Sequence, residues 1–333
     1  MTCSLFRCAH TAAGHGPNLL QLWLYSLPTN PRSKPPLCLA GEIGSGKTRL
    51  AKGFAELLGV PFVAHKVEES AESDFWPCCD AGGIFVLDNA DTRCRWLADA
   101  LANAATDGCS QCRKLYTNSE TVILRARAWL VVTTANPTFA SDSGLADRLI
   151  LCRMGRRDGE TSDAALTDEI LAARDGGLSH LAQTLRGALA DESAVPSGLN
   201  ARHPDFAAFA VRIGRALGME AEAIAALRNA EADKATFCLE NDTIGAALIA
   251  YLAGAGSFNG TTADLVPHLV KADPDLDGHC STKRVGKRLI ALWPHLEKQL
   301  AKASRETDRK GITVFTFKMR PSAGFAGFEM PIP

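Results

Sequence analysis

Short apolar runs recur along this chain, each bounded by glycine, proline or a charged residue. Leu37-Cys38-Leu39-Ala40, Gly83 to Leu87, Trp129 to Thr134 and Leu149 to Arg153 read as strands buried on both faces, the pattern of a parallel sheet. Between them the period turns helical. Thr48 to Leu58 puts Leu50, Phe54 and Leu57 on one face, with Gly59 as its stop. Cys94 to Ala105 does the same with Trp96, Leu97, Leu101 and Ala104. Lys114-Leu115-Tyr116 and Thr121 to Leu124, separated by Asn118-Ser119-Glu120, predict a β-hairpin. Thr161 to Ala190 predicts a helix, with Leu178, Leu181, Leu185 and Leu189 at spacings of three and four, and residues 203–240 continue in alanine-rich helix. The last third reads as helix, helix, helix and hairpin. Its helices are Thr243 to Leu252, Thr262 to Val270 opened by Thr261, and a third from Ser281-Thr282. The third carries Val285, Leu289 and Leu292 inward, and Pro294 bends or ends it. Ile312 to Phe317 is the closing strand, after a polar tip from Arg305 to Lys310.

Composition adds little beyond globularity. The 333 residues suffice for two or three domains, and 46% hydrophobic with 22% charged content excludes extensive disorder. Leu19 to Leu27 is too short to span a bilayer, and no basic start leads into an apolar core. A cytoplasmic protein with no membrane partner is therefore expected. The odd count of eleven cysteines fits reduced thiols, and Cys38 and Cys152 stand in strand-like runs as small hydrophobes. Cys109 and Cys112 form a C-x-x-C that leaves a metal site open as a question, although no second close pair stands at zinc-ribbon spacing.

The candidate chemistry begins at Gly41-Glu42-Ile43-Gly44-Ser45-Gly46-Lys47-Thr48, a complete GxxxxGK[ST] loop between a predicted strand and a predicted helix. That order surrounds a polyphosphate with backbone N–H groups and a positive helix end. Lys47 would reach the β- and γ-phosphates and the Thr48 hydroxyl would ligate Mg²⁺, with Arg49 closing the nucleotide-binding set. Asp88 ends the next apolar strand, taken to lie beside the loop strand, and would hold the Mg²⁺ hydration shell. The alternative for Asp88 is a helix N-cap. Asn89 stands where a second acid is expected, so Asp91 is the candidate to orient the attacking water. Asn136, delivered by the Trp129 strand, is a candidate sensor of the γ-phosphate. Arg148 can project across a subunit boundary and stabilise transition-state charge in a neighbouring site, or else form a surface ion pair with Asp147 or Asp142.

Loop, strand aspartate, hairpin, strand asparagine and arginine, in that order, resemble the superfamily-three helicases of the AAA+ class. The likeness is greatest to the primase–helicase ATPases of phages and integrated elements, over about Leu20 to Phe317. The more specific matches are Leu87-Asp88-Asn89, Arg113 to Tyr116 and Leu145 to Arg148. The resemblance implies ATP and Mg²⁺ as cofactors, a ring that is expected to be a homo-hexamer, and single-stranded DNA in its channel. It also implies a DNA-holding hairpin, with Arg113 and Lys114 at its start and Arg125 and Arg127 after it. Asn89 departs from the family pattern. So does the short segment ahead of the loop, which points to a partial helicase or a loader.

The charge of the last third is one-sided. Residues 281–320 hold eleven basic and three acidic residues in a chain whose formal net charge is −1. Lys283, Arg284, Lys287 and Arg288 are clear of the predicted apolar stripe, as on the recognition helix of a winged helix-turn-helix meeting duplex DNA. The expected architecture is an α/β P-loop NTPase with an AAA+-like parallel sheet. Its parts are a tail at 1–17, an ATPase core at 18–200, a helical lid at 201–240, a winged-helix domain at 241–320 and a tail at 321–333. An ATP-dependent DNA helicase or translocase is the leading function. An ATP-switched DNA-binding loader is the second, and a small-molecule kinase, which needs neither Asn136 nor Arg148, the third.

Overall fold

The computed structural model describes residues 16–29, 34–92, 94–113, 120–137, 139, 143–156, 162–307, 309 and 311–320. The chain divides into two compact units, with the boundary between Lys234 and Ala235. The expected tail residues 1–15 and 321–333, and the expected strand 114–116 with Lys114, lie outside the described residues.

In the first unit five strands form one sheet in the order β2-β3-β6-β1-β7. They are β1 (Leu37–Gly41), β2 (Phe62–Lys66), β3 (Ile84–Asp88), β6 (Trp129–Thr134) and β7 (Ile150–Met154). Every pairing is parallel. All six residues of β6 are buried, as are Leu37, Cys38 and Leu39 of β1. This burial on two faces is why these strands read as unbroken apolar runs. The strand bearing Asp88 does not adjoin the loop strand, as the sequence had suggested: β6 lies between them.

Helix α1 (Gly16–Ser26) takes up the apolar stretch near the N-terminus and buries Leu19, Leu20, Leu22, Trp23 and Leu24. Trp23 meets Phe54 and Trp129 with ring centroids 6.0 and 5.6 Å apart, and its indole N–H donates to the Pro35 carbonyl at 3.1 Å. Among the described residues no helix is long and apolar enough to cross a membrane. Helix α2 (Lys47–Leu58) packs Leu50, Phe54 and Leu57 on the sheet, and Gly59, at φ 68°, closes it by donating to Ala55. Helix α3 (Glu72–Ala81) was not legible: it holds Pro77 and buries only Phe75 and Cys79. Helix α4 begins later than expected, at Leu97, and runs to Ala104.

A two-stranded ribbon, β4 (Cys109–Arg113) with β5 (Thr121–Arg125), replaces the expected hairpin register. Cys109 and Cys112 both lie on β4, three residues apart, so alternation sends their side chains to opposite faces. They cannot close on one ion, and among the described residues no cluster of histidine, cysteine or carboxylate suits a metal. Burial pushes the Cys38 and Cys152 thiols up to about 12, as expected of packing residues.

The rest of the first unit is helical: α5 (Ser143–Arg148), α6 (Asp163–Ala190), α7 (Pro204–Ala216) and α8 (Glu220–Glu240), the last crossing the boundary between units. Of the leucines at helical spacing on α6, Leu181 and Leu185 are buried and Leu189 is exposed. Phe206, Ala207, Val211 and Ile213 of α7 belong to the core around α1 and the sheet.

The second unit has its own core. Helices α9 (Thr243–Ala255), α10 (Thr262–Ala272) and α11 (Thr282–Gln299) accompany a sheet ordered β8-β10-β9. Its strands β8 (Ser257–Thr261), β9 (Lys302–Thr307) and β10 (Thr313–Lys318) pair antiparallel. Leu248, Leu252, Leu265, Leu269, Val285, Leu289, Phe315 and Phe317 meet inside. Thr261 and Asp264 form a reciprocal capping box on α10, and Ser281 caps α11. Pro294 does not end α11, which continues to Gln299. Arg305 is not at a hairpin tip but within β9, 5.2 Å above the Trp293 ring.

Candidate nucleotide site

The parallel sheet sets up a cleft at the carboxyl ends of β1 and β6. The chain leaving β1 returns at β2 on one side of β6, whereas the chain leaving β6 returns at β7 on the far side of β1. Right-handed crossovers in opposite directions put their helices on opposite faces and open a crevice where ligands of such sheets bind. The glycine loop leaves β1 at that point.

Within the loop, Gly44 and Gly46 have φ of 84° and 79°, the left-handed region that glycine enters without strain. A Cβ on Gly41 would run into the Met154 carbonyl at the end of β7, so only glycine fits there. Ile43 projects outward, 83% exposed, while Ser45 is buried. Lys47 donates to the loop's own carbonyls, Gly41 at 2.6 Å and Glu42 at 2.7 Å, and reaches Ser45 Oγ at 3.3 Å. Burial lowers its pKa, and the charges of Asp91 and Asp88 work against that lowering. Arg49, expected among the nucleotide contacts, has its guanidinium occupied by Glu56 at 3.0 Å and Thr167 at 3.0 Å.

The Thr48 hydroxyl donates to Asp88 Oδ1 at 2.6 Å, and the Thr133 hydroxyl donates to the same oxygen at 2.7 Å. Asp88 is not a helix cap, because α4 starts only at Leu97 with Trp96 before it. Thr133 was missed in the sequence. The polar pair Thr133-Thr134 at the end of an apolar strand was the available signal. Asn89, at φ 56°, turns the chain out of β3 and donates its N–H to Thr133 Oγ1 at 3.0 Å. Asp91 Oδ1 accepts from Thr134 Oγ1 at 2.7 Å and from the N–H groups of Ala135 and Asn136 at 2.8 and 2.9 Å. Burial raises its pKa, but these donors and the Lys47 charge outweigh it and hold the carboxyl below the usual range. The Asn136 side chain is exposed.

Arg148 closes α5. Its side chain donates to the Gly144 carbonyl, and its Nε is buried without a hydrogen bond. Asp147 pairs instead with Arg202 at 3.7 Å, and Asp142 lies outside the described residues. The end of α5 is held from α7 and α8. Lys234 donates to the Asp147 carbonyl at 2.7 Å, and His203 Nε2 faces the Arg148 carbonyl at 3.0 Å, where it must donate. Burial depresses His203 to about 4, so the fold requires the neutral ring. A histidine so depressed contributes stability above its unfolded value near 6.5 and loses it as pH falls toward the folded value. Between those values stability should drop by about 1.4 kcal/mol per pH unit from this group. Urea titrations of the wild type and His203→Asn across that range should show the slope in the former and lose it in the latter.

Of the expected nucleic-acid residues, Arg113 lies at the end of β4, and nothing is described of its side chain. Lys283, Arg284 and Lys287 are exposed on α11. Arg288 is not on that outward face: its Nε donates to Asp242 Oδ2 at 2.6 Å, and Asp242 also caps α9 through the Gly245 N–H.

No family model and no curated protein matches this chain. Among solved structures, it is similar to the apo C-terminal region of NrS-1, with 12% identity, a TM-score of 0.46, and coverage of 96% of this chain and 75% of that one. It is also similar to the active helicase Cch of SCCmec type IV, with 14% identity, a TM-score of 0.41, and coverage of 92% of this chain and 66% of that one. At these identities and scores the likeness is loose.

Proposed function

We propose that this chain is an ATP-dependent DNA helicase or translocase of a phage or mobile genetic element, working in DNA replication as a ring, expected to be a hexamer. The single observation that carries the nucleotide site is the Thr48–Asp88 contact of 2.6 Å, which brings the loop and the strand aspartate together across β6. The residues present fit MgATP. Gly44 and Gly46 leave open space where Cβ atoms would stand, Lys47 is poised over the loop, and Thr48 with Asp88 offers the hard oxygens that Mg²⁺ takes. Bound Mg²⁺ would neutralise charge on the β- and γ-phosphates. With nucleotide bound, Lys47 would orient the phosphates, Asp88 would hold the metal's water shell, and Arg148 would serve a neighbouring subunit's site. ATP hydrolysis with and without single-stranded DNA, alongside sizing in ATP, tests this. Hydrolysis that DNA does not stimulate, in a protein that stays monomeric, would remove the helicase reading.

One observation favours a second reading, an ATP-switched DNA-binding loader without unwinding. Asn89 occupies the second-acid position in a left-handed turn, and its backbone N–H is spent on Thr133. Slow hydrolysis with tight ATP-dependent DNA binding would select it.

The second unit supports DNA binding as a winged helix, with α11 as the recognition helix. A fragment of residues 235–320 is expected to fold alone and bind duplex DNA; it starts at 235 because Leu239 belongs to its core. Four to six phosphate contacts would make log affinity fall with log salt at a slope of about −4 to −5. Changing Lys283, Arg284 and Lys287 together to Ala should flatten the slope by about one unit per lost contact. Arg288→Ala belongs to a different class, since it strands the Asp242 carboxylate and should lower the fragment's stability. Salt-insensitive binding by the unmodified fragment would count against the recognition helix.

A further inference from the structure

Asp91 entered as a candidate to orient the attacking water, but its surroundings assign it other work. The segment that follows β3 grips the end of β6 residue by residue. Asp88 accepts the Thr133 hydroxyl, the Asn89 N–H donates to that same hydroxyl, and the Ala90 N–H donates to the Thr133 carbonyl at 2.8 Å. Asp91 completes the row with three bonds on one oxygen, from the Thr134 hydroxyl and the consecutive N–H groups of Ala135 and Asn136. Two successive N–H groups converging on a carboxylate oxygen form a small anion nest. The nest is filled from inside the protein, by a side chain 43 to 45 residues from its donors in sequence but within hydrogen-bond reach of all three.

We infer that Asp91 is a positioning residue: its carboxylate clamps the turn that carries Asn136 and so fixes where that side chain meets the nucleotide. This rests on the nucleotide site proposed above. Three donors converge on Oδ1 and, with the Lys47 charge, outweigh burial and hold the carboxyl below the usual range, which makes the group as a whole a weaker base for taking a proton from water. The clamp needs an acceptor oxygen, not a charge. Asparagine can supply that oxygen at the same place, and alanine cannot.

The test compares Asp91→Asn and Asp91→Ala by two readouts. Amide hydrogen exchange of the nucleotide-free protein follows the N–H groups of Ala135 and Asn136. In Asp91→Ala both should exchange at least about tenfold faster, a lost hydrogen bond of about 1.4 kcal/mol, while in Asp91→Asn they stay protected. Steady-state hydrolysis of MgATP should then give unchanged KM in both variants. The kcat should fall about 10²-fold for Asp91→Ala, the cost of a small misplacement, and stay within a few-fold of wild type for Asp91→Asn. If Asp91→Asn instead loses about 10²- to 10⁴-fold in kcat with both amides still protected, Asp91 is a general base and the positioning role is overturned. Unchanged exchange in Asp91→Ala overturns the clamp while leaving the nucleotide site standing. Wild-type protein that binds no MgATP overturns the nucleotide site, whatever the amides do, and the catalytic half of the inference with it.

Discussion

Lys47→Ala is expected to abolish MgATP binding at working concentrations. The ammonium is the loop's own cation at the candidate site, and it already sits among the carbonyls of Gly41 and Glu42, where phosphate oxygens would take their place as partners. Truncating one member of a desolvated, hydrogen-bonded charge pair costs about 2–5 kcal/mol, or about 30- to several-thousand-fold in affinity. Fluorescent-nucleotide titration measures this directly. The fold should persist, because α2 is held on the sheet by Leu50, Phe54 and Leu57 rather than by Lys47. Affinity within threefold of wild type would sink the site assignment.

The second large effect concerns Arg148. Arg148→Ala should lose ATPase activity by about 10³-fold or more while keeping ATP affinity, the behaviour of an arginine that stabilises transition-state charge in another subunit. Its surroundings suit such a part. The main-chain end of α5 is fixed by Lys234 and His203, so the residue's starting point is rigid, while the guanidinium makes only the local bond to Gly144 among the contacts described. Mixing Arg148→Ala with Lys47→Ala subunits should restore part of the activity, because some sites then pair an intact loop with an intact arginine. A mixture no more active than its parts, under conditions where the ring assembles, counts against the shared site.

What the sequence disclosed follows from where each element is buried. Strands β1, β3, β6 and β7 were legible because burial on both faces turns them into apolar runs. Strand β2, at the sheet edge, reads Phe-Val-Ala-His-Lys with every residue at least partly exposed, and it left no such signal. β8 and β9 were hidden for the same reason, with Phe258 the one buried side chain of β8 and none in β9. Pro77 masked α3. The loop, Asp88 and Asn136 could be found because each follows an apolar strand. Thr133 and the bonds of Asp91 could not, since they depend on which strands lie side by side, and the insertion of β6 between β1 and β3 is a long-range outcome. Arg288 shows the limit of reading a helix face by charge alone. It sits beside Leu289 in the sequence, yet its partner, Asp242, comes from the turn before α9.

That ion pair also has a practical side. Asp242 is buried and Arg288 largely so, and charges withdrawn from water are screened far less than exposed ones. Lys283, Arg284 and Lys287 stand in open solvent, where molar salt shrinks the reach of a charge to about 3 Å. If α11 holds nucleic acid as proposed, a high-salt wash during purification should strip it while the Asp242–Arg288 joint keeps α9 and α11 together.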